Sequence, residues 1–428
     1  MSSTRVALGG EIRMPGDKSI SHRALILAAL ARGRSRIEGL NPGADVRGTA
    51  RLLTELGIEV ELAAGNTAAE VQGLGFAGLR EPVDVLDAGN SGTSLRLVAG
   101  LCAALRGLSV LTGDSSLRRR PMLRVVAPLR QMGAVIDGRE HAEFPPLAIR
   151  GGPLDAIDFE LAVASSQVKT AVLLAGLAAE GRTVVRESVA TRDHTERMLN
   201  GCGVELERRD GMVALAGGQQ PEVVDRRIPG DVSSAAYLVA AAILSPGSDL
   251  TITDVGLNPT RTAALRVLEG MGASIEMAAT GLEGGEPVGT VHVRSSELRG
   301  TDIGGSDIPL VIDELPILAV VATQAEGRTV IRDASELRFK ESDRIEVMAR
   351  GLRELGAEVV DLPDGLVISG PTRLTGGEAD AYDDHRVALA FAVAGMVTKE
   401  KVRIKGWSSI ATSFPNFIEL VEGARRKR

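Results

Sequence analysis

A chain of 428 residues with 44% hydrophobic side chains is long enough for two or three domains, each with its own core. A net charge of −7 and 2% aromatic residues argue against a nucleic-acid surface, which needs basic patches and stacking rings. The longest apolar run, Ala235 to Leu244, is well short of the roughly 18 residues that span a membrane.

The opening Met1-Ser2-Ser3-Thr4-Arg5 has neither a secretory signal nor an Arg/Ser-rich transit pattern, so a cytoplasmic protein is expected. Cys102 and Cys202 lie far apart in apolar or glycine-rich surroundings, without metal-ligand or CxxC spacing, and read as small core residues. Positive charge is nevertheless gathered locally, as at Arg118-Arg119-Arg120. An acidic protein with local basic clusters points to a small anionic ligand.

In chain order, Val6-Ala7-Leu8 and Glu11-Ile12-Arg13-Met14 read as two short strands around Gly9-Gly10. A long unit then recurs. A polar Ser/Thr/Asp turn leads into a small-residue helix, followed by a Gly-marked turn and a β-branched strand. A second, charged helix ends in Gly before another strand. Those endings are Leu56-Gly57-Ile58, Met132-Gly133-Ala134, Cys202-Gly203-Val204, Met271-Gly272-Ala273 and Leu355-Gly356-Ala357, and glycine just past a helix is C-cap chemistry. A sixth copy, from about Ala381 to Gly423, stops after its second helix, and the N-terminal strands could complete the set. Three repeats per domain are expected. Residues 1–17 and 230–428 would form a discontinuous domain and 18–229 an inserted one, with a substrate cleft between them. The crossings fall at Pro15-Gly16-Asp17 and Pro229-Gly230-Asp231.

Chemistry gathers where the first helices of the repeats begin. Pro15-Gly16-Asp17-Lys18-Ser19-Ile20-Ser21-His22-Arg23 brings a lysine, two serines and an arginine to a helix start. The first backbone N–H groups there lack helical partners and the macrodipole is positive, so anions are attracted. Ser19 or Ser21 could cap it; an ordinary capped helix with solvated charges is the other reading. Leu86-Asp87-Ala88-Gly89-Asn90-Ser91-Gly92-Thr93-Ser94-Leu95-Arg96 is a glycine-rich turn that lets backbone approach a ligand. Ser165-Ser166-Gln167-Val168-Lys169 offers hydrogen-bonding groups ahead of an apolar helix, and Asp231-Val232-Ser233-Ser234 reads mainly as a cap. Val311-Ile312-Asp313-Glu314 sets a carboxylate in an apolar segment, where its proton affinity can be perturbed. The sixth start is Asp383-Asp384-His385-Arg386.

Two charged clusters precede second helices, Thr191-Arg192-Asp193-His194-Thr195-Glu196 and Arg338-Phe339-Lys340-Glu341-Ser342-Asp343-Arg344. A helix through the latter would set Lys340 and Arg344 on one face at i,i+4. That segment reads either as a salt-bridged surface helix or as a carboxylate, Glu341, poised for proton transfer. Among the histidines, His385, His22 and His194 are candidates for the site, while His141 and His292 read as solvated or structural.

Taken in order, these stretches, with Arg120-Pro121-Met122, resemble the 5-enolpyruvylshikimate-3-phosphate (EPSP) synthase family along the whole chain. Arg192-Asp193-His194-Thr195-Glu196 and Asn258-Pro259-Thr260-Arg261-Thr262 resemble its more divergent bacterial branch. Ala411-Thr412-Ser413-Phe414-Pro415 lacks the lysine that the better-known branch has just before Thr-Phe-Pro. The resemblance implies a two-domain inverted α/β barrel of six βαβαββ-like repeats. The implied reaction adds the 5-hydroxyl of shikimate 3-phosphate to C2 of phosphoenolpyruvate and releases phosphate.

By the same correspondence, Lys18, Gly92, Arg120, Gln167, Arg344 and Arg386 would bind phosphoenolpyruvate. Lys18, Ser19, Arg23, Ser165, Ser166, Gln167, Arg192, Asp313 and Lys340 would hold shikimate 3-phosphate. Asp313 would be the base, Glu341 the acid, and Lys18 would stabilise or move charge. No metal or organic cofactor is implied, the chain is expected to act as a monomer, and glyphosate would occupy the phosphoenolpyruvate site. Two other readings remain: UDP-N-acetylglucosamine enolpyruvyl transferase, which usually carries a reactive loop cysteine where this chain has Ser115-Ser116-Leu117-Arg118, and a non-catalytic anion-binding protein on the same scaffold.

Overall fold

The computed structural model describes residues 7–425. The chain folds as two compact units, one comprising the residues up to Pro15, Pro229–Leu282 and those from Pro287 on, the other Gly16–Ile228 with Glu283–Glu286.

Each unit has its own hydrophobic core, built on the first helices of its repeats. In the second unit these are Lys18–Leu30, Gly92–Ala104 and Ser166–Ala178. In the first they are Val232–Leu244, Leu315–Ala322 and His385–Val397. Past their polar starts they are largely apolar around the circumference, so each is buried on nearly every side. In His385–Val397 all thirteen residues are buried. Small residues allow close approach: a Cβ at Gly100 would come within 2.5 Å of the Ala171 carbonyl oxygen, so the Gly92–Ala104 and Ser166–Ala178 helices meet nearly backbone to backbone.

The second helices are amphipathic and bury one face. In Ala44–Glu55 the buried residues are Asp45, Val46, Thr49, Ala50, Leu52 and Leu53, an i, i+3, i+4 stripe. The glycines that follow the second helices, Gly57, Gly133, Gly203, Gly272 and Gly356, all have φ between 77° and 110°. That left-handed turn lets a helix stop and a strand begin.

Each of five repeats contributes a four-stranded sheet in which a parallel edge strand pairs with the strand after the first helix, and a hairpin completes the order. In the second repeat the order is Leu86–Asp87, Gly107–Thr112, Phe144–Gly151, Val135–Gly138. The sixth sheet has two parallel strands, Gly377–Asp380 and Val402–Lys405. Helices inside and sheets outside give each unit the form of an inverted α/β barrel.

The edge strands of two repeats come from distant parts of the chain. Gly9–Arg13 pairs in parallel with Asp249–Thr253, and Arg226–Arg227 pairs in parallel with Ile37–Glu38. The N-terminal segment differs from the expected two strands. One strand, Gly9–Arg13, contains both glycines, because its partner runs on unbroken opposite them, Gly9 facing Asp249 and Gly10 facing Leu250. Leu8 makes an isolated bridge to Arg425, and Val6 lies outside the described residues.

Candidate active site

The sequence-predicted residues fall into two sets. Lys18, Ser19, Arg23, Gly92, Arg120, Ser165, Ser166, Gln167 and Arg192 belong to the Gly16–Ile228 unit. Asp313, Lys340, Glu341, Arg344 and Arg386 belong to the other.

In the Gly16–Ile228 unit, the Lys18–Leu30 helix is capped by Asp17, whose carboxylate accepts from the Ile20 N–H at 2.9 Å. The expected serine cap is not made. Ser21 lies too far into the helix, and its hydroxyl donates back to the Asp17 carbonyl at 2.8 Å. Lys18 Nζ reaches the Asp45 carboxylate at 3.0 Å, with 14% of the lysine side chain exposed. One turn on, the buried Arg23 donates from Nε to Thr195 Oγ1 at 2.7 Å, from Nη2 to Thr170 Oγ1 at 2.9 Å and from Nη1 to the Ser19 carbonyl at 2.9 Å.

Ser91 caps the Gly92–Ala104 helix, accepting from the Ser94 N–H at 3.1 Å. A Cβ on Gly92 would lie 2.9 Å from Arg96 Nη1 and 3.3 Å from Arg120 Nη1, so two guanidinium groups flank a helix start bare of side chain. Neutral groups are among the partners of each. Arg96 donates to Gln167 Oε1 at 2.7 Å, while Gln167 Nε2 donates to Thr93 Oγ1 at 2.9 Å. Arg120 donates to Asn90 Oδ1 at 2.9 Å and Ser116 Oγ at 3.3 Å. Two guanidinium groups, Lys18 and helix N-termini in one unit suit oxyanions such as phosphate and carboxylate. Ser165 caps its helix through the Val168 N–H at 3.4 Å, and Arg192 stands just ahead of the His194–Asn200 helix.

In the other unit a single carboxylate sits among three cations. Asp313 Oδ1 lies 3.6 Å from Lys340 Nζ and 3.6 Å from Arg344 Nη1, and its Oδ2 lies 4.0 Å from Arg386 Nη2. Arg386 Nη1 also donates to the Asp313 carbonyl at 3.1 Å and to Glu314 Oε1 at 3.3 Å. Arg344 donates to Glu341 Oε2 at 2.6 Å and, from Nε, to Asp384 Oδ2 at 2.8 Å. Burial works against the Arg386 charge, but Asp313, Tyr237 and Glu314 outweigh it and hold the guanidinium well above its ordinary pKa. Burial likewise opposes the Arg344 charge, and Asp384 and Glu341 overcome it.

Lys340 and Arg344 do not share a helical face. The helix begins at Arg344, because Asp343 caps it by accepting from the Glu346 N–H at 3.1 Å, and Lys340 is extended at φ −86° and ψ −155°. Both cations nevertheless reach Asp313.

His22 is buried, with Nδ1 2.7 Å from Thr49 Oγ1. Burial, helped by the Lys18 and Arg23 charges, holds its pKa well below the usual imidazole value. His194 Nδ1 pairs with the buried Glu286 at 2.7 Å. His385 is buried at the first position of its helix, and His292 bonds Asp249 at 2.7 Å. Burial pushes the Cys102 thiol up to about 12, too high for a nucleophile near neutral pH. Among the described residues, no helix is long and apolar enough to cross a membrane, and no three His, Cys, Asp or Glu side chains gather as metal ligands would.

Sequence reasoning missed Asp45, Asn90 and Glu314 as partners of site residues. Glu314 carried a signal, as a second acid beside Asp313 ahead of an apolar helix. Arg96, in the glycine-rich segment, had no predicted role, although Gln167 at 2.7 Å ties it to the predicted set.

The model of the family described as EPSP synthase (3-phosphoshikimate 1-carboxyvinyltransferase) matches residues 3–421. A 3-phosphoshikimate 1-carboxyvinyltransferase of Desulforudis audaxviator is 50% identical over 420 residues, covering 98% of this chain and 97% of the relative. The structure of EPSP synthase from Acinetobacter baumannii superposes with a TM-score of 0.87 at 40% identity, covering 99% of this chain and 97% of that one. The enolpyruvyl transferase NikO from Streptomyces tendae shares the fold, with a TM-score of 0.79 at 18% identity over 98% of this chain and 95% of its own. The chain belongs to the EPSP synthase (3-phosphoshikimate 1-carboxyvinyltransferase) family.

Proposed function

We propose that the chain transfers the enolpyruvyl group of phosphoenolpyruvate to the 5-hydroxyl of shikimate 3-phosphate, releasing phosphate, and does so as a cytoplasmic monomer without metal or organic cofactor. The observation that carries the residue roles is the Asp313 carboxylate among Lys340, Arg344 and Arg386, coupled to the Glu341–Arg344 pair at 2.6 Å. Asp313 takes the proton of the 5-hydroxyl as its oxygen bonds to C2 of phosphoenolpyruvate. The C2–C3 π pair takes a proton from Glu341, giving a tetrahedral adduct. The Glu341 carboxylate takes back a C3 proton as the C2–O bond to phosphate breaks, the leaving oxygen takes the proton held on Asp313, and the enol ether results. Such proton transfers contribute about 10² to 10⁴ in rate.

Lys18, Arg120, Gln167, Arg344 and Arg386, with the backbone at Gly92, hold phosphoenolpyruvate. Ser19, Arg23, Ser165, Ser166, Arg192 and Lys340, with Lys18, Gln167 and Asp313, hold shikimate 3-phosphate.

Phosphate release is the test. It is expected with phosphoenolpyruvate and shikimate 3-phosphate together, and not when UDP-N-acetylglucosamine replaces the shikimate compound. Release with the nucleotide sugar alone as acceptor would overturn the reading. So would absence of release with either acceptor.

A further inference from the structure

In the apolar Ser166–Ala178 helix, Lys169 is the one charged residue, and it is fully buried. Its ammonium lies 3.0 Å from each oxygen of Glu187 and 2.7 Å from Glu196 Oε1, so three acceptors match its three N–H donors. Glu187, one residue past the strand Arg182–Arg186, uses Oε2 a second time. That oxygen accepts from the Thr191 N–H at 3.2 Å and the Thr191 hydroxyl at 2.8 Å.

The next helical position makes a parallel connection. Thr170 Oγ1 lies 2.6 Å from Thr195 Oγ1, and both take bonds from Arg23. Thr191, Thr195 and Glu196, on either side of Arg192, are therefore all tied to Lys169 and Thr170, one turn beyond Ser165 and Ser166. A buried ionic network is seldom the most stabilising way to fill a core. Two carboxylates on one ammonium also leave an excess negative charge. What this network does supply is a fixed position for the segment that carries Arg192.

We propose that Lys169 and Glu187 are positioning residues for shikimate 3-phosphate, holding Arg192 in register with Ser165, Ser166 and Arg23. This rests on the assignment of those residues to that substrate. The device touches no reacting atom, so its removal acts on the binding of one substrate.

Lys169→Met strands two buried carboxylates and confounds folding with function, so the informative variant is Glu187→Ala, which leaves a neutral Lys169–Glu196 pair. Its far-UV circular dichroism should match that of the wild type. Its KM for shikimate 3-phosphate should rise roughly tenfold or more, as small misplacements of binding groups do, while KM for phosphoenolpyruvate at saturating co-substrate stays within about twofold. Glu187→Gln, which keeps one acceptor oxygen, should recover part of the loss. Arg192→Ala is measured alongside. If Arg192→Ala raises the shikimate 3-phosphate KM and Glu187→Ala does not, the positioning role is wrong. The same holds if Glu187→Ala raises both KM values equally. If neither variant changes that KM, the assignment of Arg192 to the substrate falls, and the positioning role with it.

Discussion

Asp384 accepts two bonds from Arg344, at 2.8 Å from Nε and 3.2 Å from Nη2, and both side chains are buried. The same carboxylate caps the His385–Val397 helix, taking the Arg386 N–H at 3.0 Å. One acid thus fixes the side chain of Arg344 and the helix start from which Arg386 projects.

Asp384→Ala removes both functions. Breaking a buried ion pair by deleting one partner costs about 3 to 5 kcal/mol, and losing a cap costs roughly 1 more. Asp384→Asn keeps a capping oxygen and removes the charge, so it should be the less destabilised of the two in urea. Both should raise the KM for phosphoenolpyruvate, because Arg344 is no longer held. Equal destabilisation of the two variants would show that the cap contributes nothing measurable.

Lys18 was legible as a cation at a helix start, but its surroundings were not. The helix-start pattern identified it, whereas its bond to Asp45 at 3.0 Å joins positions 27 residues apart. Lys18→Met should lower kcat about 10²- to 10³-fold, the scale for losing one charge-stabilising group. Because the lysine is mostly buried and Asp45 loses its partner, a fall of a few degrees in Tm should accompany it. Wild-type turnover in the folded variant would remove Lys18 from the machinery.

The contrast between what the sequence disclosed and what it hid follows sequence distance. The C′ glycines are local and were readable because cap chemistry acts over three or four residues, although at the Lys18–Leu30 helix the cap is Asp17 and not a serine. The two-residue strand Arg226–Arg227 has no pattern of its own. Its place beside Ile37–Glu38 is fixed by pairing across the whole unit, which propensity does not encode. Lys169 shows the same limit: its burial depends on Glu187 and Glu196 arriving from other parts of the chain. The supposed Lys340–Arg344 face failed for a local reason that was visible, the capping acid Asp343 between them.

His22 gives the fold an acid sensitivity with a defined sign. Its folded pKa lies well below 6.5 through burial and the Lys18 and Arg23 charges. Below about pH 6.5 the unfolded chain therefore takes up a proton that the folded chain refuses. This contribution to stability is complete above pH 6.5 and is lost as the pH falls toward the folded pKa, by up to about 1.4 kcal/mol per pH unit. Urea denaturation at pH 7.5, 6.5 and 5.5 should show the wild type losing more stability than His22→Gln over the acidic step. Parallel losses in the two proteins would mean that His22 titrates alike in both states.

Gly92 separates steric from electrostatic control at the helix start proposed to hold phosphoenolpyruvate. An added methyl would stand 2.9 Å from Arg96 Nη1, 3.3 Å from Arg120 Nη1 and 3.7 Å from Leu117 Cδ1. The closest of these atoms are the ends of flexible side chains, so the backbone need not move. Replacing glycine in a helix also gains about 0.4 to 1 kcal/mol through the unfolded chain, and Gly92→Ala should melt no lower than the wild type. The guanidinium of Arg96 must shift, which disturbs its 2.7 Å bond to Gln167, and the methyl projects into the space beside two cations. An intruding methyl in a packed site costs about 1 to 3 kcal/mol. The cost should be larger for glyphosate, the longer occupant, than for phosphoenolpyruvate. Competitive inhibition at fixed phosphoenolpyruvate is therefore expected in the wild type, and Gly92→Ala should weaken it roughly tenfold or more with a smaller rise in KM. If the wild type resists the inhibitor and the alanine variant resists it no further, the bare helix start does not set tolerance.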